Sequence, residues 1–440
     1  MYLIYNILLA IGSLFLLPRL LREPKYRASL NQRLGKLPKF KSGGKPVLWL
    51  HCVSVGETQA ARPLVNKIFE EFPDYCLVVS TTTQTGQELA KKLFADQAAL
   101  IFYFPFDWKF SVERALRLIK PNLVLLMESE LWFNFLRESN RRGVRVFVVN
   151  GRISEKSARR YAWLKNFMRR ALGCIDLALM QSNADAQRII NLGMRAAKVR
   201  VTGNIKFDQQ INESESGLTE EFRRRFGIGN DAPLIIAAST HAPEEKLILE
   251  AFNRVWKSST GALPRLMLVP RHPERFAEVV QAIKHTGFSW VKRSENPSAR
   301  DKSAEIILLD SIGELRAVYA LGEIIFVGGS LIPHGGQNIL EPSIARKAIV
   351  TGSCTTNFEA IVKEFLSKDA VIQLPELEEE NIAEELAEVF TGLLHDDERR
   401  KRLAENAYRV MMENRGATVR TIEQLKPIFQ VHISAFKLQK

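Results

Sequence analysis

Val47 to Phe94 reads VLWLHCVSVGETQAARPLVNKIFEEFPDYCLVVSTTTQTGQELAKKLF, and this stretch decides the fold. Two short β-branched runs, VLWLHCVSV and YCLVVSTT, are each followed by an amphipathic run of helical character. Strands apolar on both faces and separated by helices predict a doubly wound parallel sheet. Working outward, LVLLM, VRVFVV and IDLALM keep the same rhythm until it stops near Asp208. Residues 209–232 are polar and contain Gly217, Gly227 and Gly229, which predicts a connection around one short helix. A second set of runs then follows: LIIAAST, LMLVPRH, EIILLD, EIIFVGGS and AIVTG. The fold class expected is therefore α/β, with two tandem Rossmann-like domains over residues 22–208 and 233–399 joined by a linker at 209–232. A helical segment, 400–440, is expected to pack as a terminal helix or to cross back to the first domain. No short-period repeat is present.

The 440 residues carry 62 Lys and Arg against 49 Asp and Glu, a formal charge of +13, so an anionic partner is expected: nucleic acid, a phospholipid surface or a phosphorylated substrate. No recognition-helix motif, zinc finger or aromatic RNA-binding strand accompanies that charge, which argues against nucleic acid. Cys52, Cys76, Cys174 and Cys354 are scattered, with no C-x-x-C pair, as in a chain kept reduced. No H-E-x-x-H or D-x-D arrangement announces a metal, so neither metal nor cofactor is expected.

Leu3 to Leu17, LIYNILLAIGSLFLL, is an apolar run broken by Asn6, Gly12 and Ser13 and closed by Pro18-Arg19. As a helix it measures about 23 Å, short of the roughly 30 Å hydrocarbon core, so a short span and an interfacial helix both stay open. The positive charges (Arg19, Arg22, Lys25, Arg27) follow the run instead of preceding it, which fits an uncleaved membrane anchor over residues 1–21 better than a signal peptide. The positive-inside rule then places the rest of the chain on the cytoplasmic side. Arg33, Lys36, Lys39, Lys41 and Lys45 would lie near an anionic leaflet.

In open α/β sheets ligands gather at the carboxyl ends of strands. The first exit is Ser54-Val55-Gly56-Glu57, where Glu57 by position reads first as a first-turn carboxylate favourable to the helix dipole, and reads as a base only with support from elsewhere. A helix N-terminus would depress its pKa unless burial offsets the effect. Ser80 to Gly86 is a hydroxyl-rich turn suited to an anion or to ordinary capping. Glu128-Ser129-Glu130-Leu131-Trp132 places two acids beside an aromatic at a strand terminus, and Lys206 closes the domain. In the second domain Arg271-His272, flanked by prolines, offers a guanidinium fork to phosphate. Ile312-Gly313-Glu314 opens a helix after a strand. Gly328-Gly329-Ser330 and His334 to Pro342 form a Gly-rich turn, with a helix expected to start near Asn338 and aim its positive end at phosphate, and with Glu341 placed for a ribose diol. Two such domains suit a nucleotide-sugar glycosyltransferase, although dehydrogenases and epimerases share the layout.

The ordered motifs resemble the lipid A Kdo (3-deoxy-D-manno-octulosonic acid) transferase family over nearly the whole chain. They are H-x-V-S-V-G-E at His51–Glu57, T-T-T-x-T-G at Thr81–Gly86, M-E-x-E-L-W at Met127–Trp132 and N-x-R-x-S at Asn150–Ser154. G-N-x-K-F-D at Gly203–Asp208, S-T-H at Ser239–His241, P-R-H-P-E-R at Pro270–Arg275 and G-G-Q-N-x-L-E-P at Gly335–Pro342 complete the set. Phe133 and Ala242-Pro243 depart from the family pattern. The resemblance implies a GT-B type, inverting glycosyltransferase with a membrane-anchor helix, an acceptor-binding first domain and a CMP-sugar-binding second domain. Such an enzyme moves Kdo from CMP-Kdo to a lipid A precursor, lipid IVA, at the cytoplasmic leaflet of the inner membrane in lipopolysaccharide biosynthesis. It implies Glu57 as proton acceptor, Glu128 and Lys206 as transition-state stabilisers, and CMP contacts at Arg271, His272, Ile312, Gly313, Glu314, Asn338, Ile339, Leu340 and Glu341. A transferase of another nucleotide sugar and a non-catalytic lipid-binding module are the competing expectations.

Overall fold

The computed structural model describes residues 2–22, 24–128, 130–208, 214–229, 232–259 and 261–438. The chain forms two compact units, one comprising residues 1–208 with 415–440 and the other residues 209–414.

Unit 1 contains β1 (Val47–Cys52), β2 (Cys76–Thr81), β3 (Ala98–Tyr103), β4 (Leu123–Met127), β5 (Arg145–Gly151), β6 (Leu177–Met180) and β7 (Val199–Val201). They form a 7-stranded sheet of order β3-β2-β1-β4-β5-β6-β7, parallel at every junction. Both faces are covered, so alternate residues of one strand feed different cores. Trp49, Val78, Val124 and Val148 enter one, while Leu50, Val79, Leu125 and Val149 enter the other. That is why these runs read as continuously apolar. The order reverses between β1 and β4, the switch point where open α/β sheets leave a crevice.

Unit 2 contains β8 (Leu234–Thr240), β9 (Arg265–Pro270), β10 (Trp290–Lys292), β11 (Ile306–Leu308), β12 (Ile324–Val327), β13 (Ala348–Thr351) and β14 (Ile372–Gln373). Its 7-stranded sheet has the order β10-β11-β9-β8-β12-β13-β14, again parallel throughout. Its switch point lies between β8 and β12.

Two boundaries differ from the sequence expectation. The stretch 209–232 is not merely a connection: helix Ser214–Phe226 buries Phe222 and Phe226 within unit 2, and 209–213 with 230–231 lie outside the described residues. The segment 400–440 is not one piece. Helix Asp397–Asn414 belongs to unit 2, and after a turn at Gly416 (φ 89°) helix Ala417–Leu438 joins unit 1. There Ile422, Leu425 and Phe429 seal the core shared with Leu50 and Val79, each such side chain contributing about 1.5–3 kcal/mol.

The N-terminal run forms a helix, Tyr2–Arg22. Among the described residues, however, no helix is long and apolar enough to cross a membrane, so the expected membrane anchor is not shown as a span. Two of the polar breaks, Asn6 and Ser13, together with Tyr5, dock the helix on the rest of unit 1. Tyr5 donates to Asp107 Oδ2 (2.7 Å), Asn134 Nδ2 donates to Asn6 Oδ1 (2.7 Å), and Trp108 Nε1 donates to Ser13 Oγ (2.9 Å). Phe133, one of the family departures, packs its ring against Tyr5 and Phe167.

Candidate active site

In unit 1 the switch point is flanked by Glu57, after β1, and Glu128, after β4. Ser54 caps helix Val55–Glu71 by accepting from Glu57 N–H, and the Glu57 carboxylate reciprocates, accepting from Ser54 Oγ (2.9 Å) and Val53 N (2.8 Å). This reciprocal cap holds Glu57 in the first helical turn and fixes the carboxylate rotamer. The electrostatic outcome is the reverse of a simple helix-dipole effect. Glu57 is 6% exposed, and burial, reinforced by the Glu128 charge and opposed by the two hydrogen bonds, raises its pKa to about 7.

Glu128 is one of the few non-glycine residues in the left-handed region (φ 54°), and its N–H donates to Val149 O. Its carboxylate meets Lys206 Nζ at 3.0 Å, with both side chains largely shielded. Lys206 stands on a 3₁₀ turn, Ile205–Asp208. Asn150, also left-handed (φ 54°), accepts from Ile205 N, and Asn204 Oδ1 accepts from Lys206 N. Asp208 ties the turn to the C-terminal helix by accepting from Gly416 N and Thr418 N. The second acid of the motif, Glu130, is also pushed up to about 7 by burial and then by Glu128. It belongs electrostatically with Glu57, a grouping that only the spacing E-x-E hinted at. His51 of the same motif is a core residue, stacked on Phe104 and hydrogen-bonded to Ser80, and burial lowers its pKa to about 3. Thr83 caps helix Gln84–Phe94, so the hydroxyl-rich turn serves at least that ordinary role.

In unit 2, Arg271 and His272 follow β9. The Arg271 guanidinium has no ion-pair partner among the described residues, while Arg275 is occupied by Glu245 (2.7 Å) and Glu278 (2.9 Å). Ile312 projects outward, 78% exposed, and Gly313 turns with φ 93°. Glu314 is gripped by Arg293 (2.8 Å) and by Ser311. Burial opposes ionisation there, but these two partners hold its pKa below the usual carboxylate value. Asn338 Oδ1 accepts from Leu340 N. The helix that follows is Leu340–Ile344, five residues beginning two later than expected, too short to present a developed dipole. Ile339 and Leu340 bury their side chains, leaving only backbone for a ligand, and Glu341 pairs with Arg316 (2.9 Å). Sequence reasoning left out Glu244, which is wholly buried. Its carboxylate accepts from four backbone amides, His241, Gly329, Ser330 and Leu331, and so joins the exits of β8 and β12. Among the described residues no cluster of His, Cys, Asp or Glu could hold a metal ion.

Residues 28–209 match the family model for 3-deoxy-D-manno-octulosonic-acid transferase (kdotransferase). The 3-deoxy-D-manno-octulosonic acid transferase of Haemophilus influenzae is 35% identical over 412 residues, 94% of each chain. That of Chlamydia trachomatis is 29% identical over 404 residues, 91% of this chain and 90% of its own. Among solved structures, a glycosyltransferase from Rickettsia africae (14% identity, 88% of this chain and 99% of its own, TM-score 0.55) is similar. So is a UDP-GlcNAc 2-epimerase from Neisseria meningitidis (14%, 87% of this chain and 100% of its own, TM-score 0.57). At such identity these two likenesses speak for the GT-B-like fold alone. By its ordered motifs and its near full-length relatives, the chain belongs to the 3-deoxy-D-manno-octulosonic acid transferase family and is a glycosyltransferase.

Proposed function

We propose that the protein transfers Kdo, with inversion, from CMP-Kdo to a hydroxyl of a lipid A precursor. The observation that carries the chemistry is the buried Glu57 carboxylate, with its pKa raised to about 7, set beside the Glu128–Lys206 pair at the unit 1 switch point. A base of that pKa is half ionised at neutral pH, and so can both accept and hold a proton. Such a group contributes roughly 10²- to 10⁴-fold to rate. As the acceptor oxygen attacks the anomeric carbon, Glu57 removes its proton and the bond to the CMP phosphate breaks. The Glu128 carboxylate, held by Lys206 Nζ at 3.0 Å, favours the positive character developing at the anomeric centre. Arg271, with the backbone around Gly313 and Asn338, binds CMP. The similar names of the relatives support the sugar and the nucleotide follows from the family resemblance.

The second part of the proposal is that the protein works at the cytoplasmic leaflet of the inner membrane, held there by helix Tyr2–Arg22 lying in the interface. Ile4, Ile7, Leu8, Ile11 and Phe15 recur at helical spacing and are exposed, Phe15 by 80%. The polar contacts of Tyr5, Asn6 and Ser13 tie the helix to unit 1. An apolar stripe backed by the chain's excess of basic residues suits an anionic lipid surface.

Incubation with CMP-Kdo and a tetraacylated lipid A precursor should give a product heavier by Kdo. CMP should compete with the donor better than UDP does. Absence of product in vesicles and in every detergent would overturn the function. Equal recovery from vesicles with and without anionic lipid would overturn the interfacial placement.

A further inference from the structure

Three imidazoles meet at the switch point of unit 2. His241, at the exit of β8, is 6% exposed. Its ring centroid lies 4.1 Å from that of His334 and 5.2 Å from that of His272, with interplanar angles of 43° and 73°. Gln337 Nε2 donates to His241 Nε2 at 3.1 Å, which leaves the proton of the neutral ring on Nδ1. Burial, then the charges of His334, His272 and Arg271, hold its pKa down to about 4. His241 is therefore a fixed, uncharged platform, and the two flanking rings are exposed, His272 with Glu274 Oε1 3.7 Å from its Nδ1.

The frame around the rings is rigid. Glu244 pins His241 N together with Gly329, Ser330 and Leu331. A Cβ on Gly328 would come within 2.8 Å of Thr240 Cα, so only glycine admits the two strand exits side by side. His334 O accepts from Asn357 Nδ2 (3.0 Å), and Gly335 (φ 94°) and Gly336 (φ 76°) turn the chain directly after it.

We propose that His334 and His272, presented on either side of His241, bind the carboxylate of the donor's sugar acid, leaving Arg271 to the phosphate. The inference rests on the donor being a CMP-activated ulosonic acid. In such a sugar the carboxylate and the phosphate oxygen are attached to one carbon, the anomeric centre. The site must then offer two adjacent anion positions, where a nucleotide-activated aldose needs only one. Arg271 and His272, consecutive after β9, supply one donor to each position, and His334 completes the second.

The test compares the full-length wild type with His334→Ala, an exposed position whose substitution should leave Tm unchanged. KM for CMP-Kdo should rise at least tenfold in the variant, while Kd for CMP, which has no carboxylate, stays within twofold. The carboxamide analogue of CMP-Kdo should bind wild type and variant alike. Parallel losses for CMP and CMP-Kdo, or no change in either, would overturn the assignment. Wild-type turnover of CMP-Kdo is measured first, so failure of the donor reading shows as no turnover at all, and failure of this inference as turnover with unmoved His334 constants.

Discussion

Replacing Glu57 by Gln should abolish most turnover and yet stabilise unit 1 at alkaline pH. The carboxyl is ordinarily half ionised near 4.5, and here only near 7. At about 1.4 kcal/mol per pH unit, the ionised form costs the fold about 3 kcal/mol. The sign follows from the direction of the shift: stability due to the protonated carboxyl is complete below about 4.5 and is lost as pH rises through about 7. Glutamine keeps the shape, and its carbonyl oxygen can still accept from Val53 N, while carrying no charge. Opening free energies of β1 and β4 from hydrogen exchange, corrected for intrinsic rates, should agree between wild type and Glu57→Gln near pH 4.5. Above pH 8 the variant should be more stable by about 3 kcal/mol, while kcat falls roughly 10²- to 10⁴-fold. A pH-independent difference, or a variant less stable than wild type at pH 8, would refute the desolvation account of this residue.

Lys206→Met should cost roughly 10²-fold in kcat or more by leaving Glu128 without its 3.0 Å cation. Steady-state rates of Lys206→Met, Glu128→Gln and the double variant should show the double no worse than the poorer single, since the pair acts as one device. Asp208→Ala removes the acceptor of Gly416 N and Thr418 N. It should loosen helix Ala417–Leu438 by about 1–2 kcal/mol, read as faster exchange in that segment. Glu244→Gln replaces two acceptor oxygens by one acceptor and one donor, so two of four buried amides lose their partner. Calorimetry should show a loss of about 2–5 kcal/mol, and unchanged Tm would refute the pinning role.

Periodicity carried the architecture because a parallel sheet covered on both faces writes itself as uninterrupted apolar runs. Val47–Cys52 and Leu123–Met127 are buried at every position. The strand exits were equally legible, since Glu128 and Gly328 follow such runs immediately and Glu57 comes one turn beyond Cys52. What the chain could not display locally was partnership across sequence distance. Asp208 reads as the end of a domain, and only the fold brings it to Thr418. Glu244 looks like an ordinary first-turn acid, and its four amides come partly from residues more than eighty positions away. His241 and His334 stand in different motifs, and their rings meet only because β8 and β12 are neighbours. The short helix after Asn338 misled for the opposite reason: its glycines and acid are genuine, but Leu340–Ile344 ends within five residues.

Unit 1 is assembled from the two ends of the chain, with the whole of unit 2 encoded between them. During synthesis the Lys206 turn emerges long before Gly416 and Thr418, the residues that brace it through Asp208. A chain that lacks helix Ala417–Leu438 therefore keeps Glu57 on its Ser54 cap but leaves the Lys206 turn unbraced and the core face of Leu50 and Val79 uncovered. Helix Ala417–Leu438 thus closes unit 1 only after the whole of unit 2 has been made.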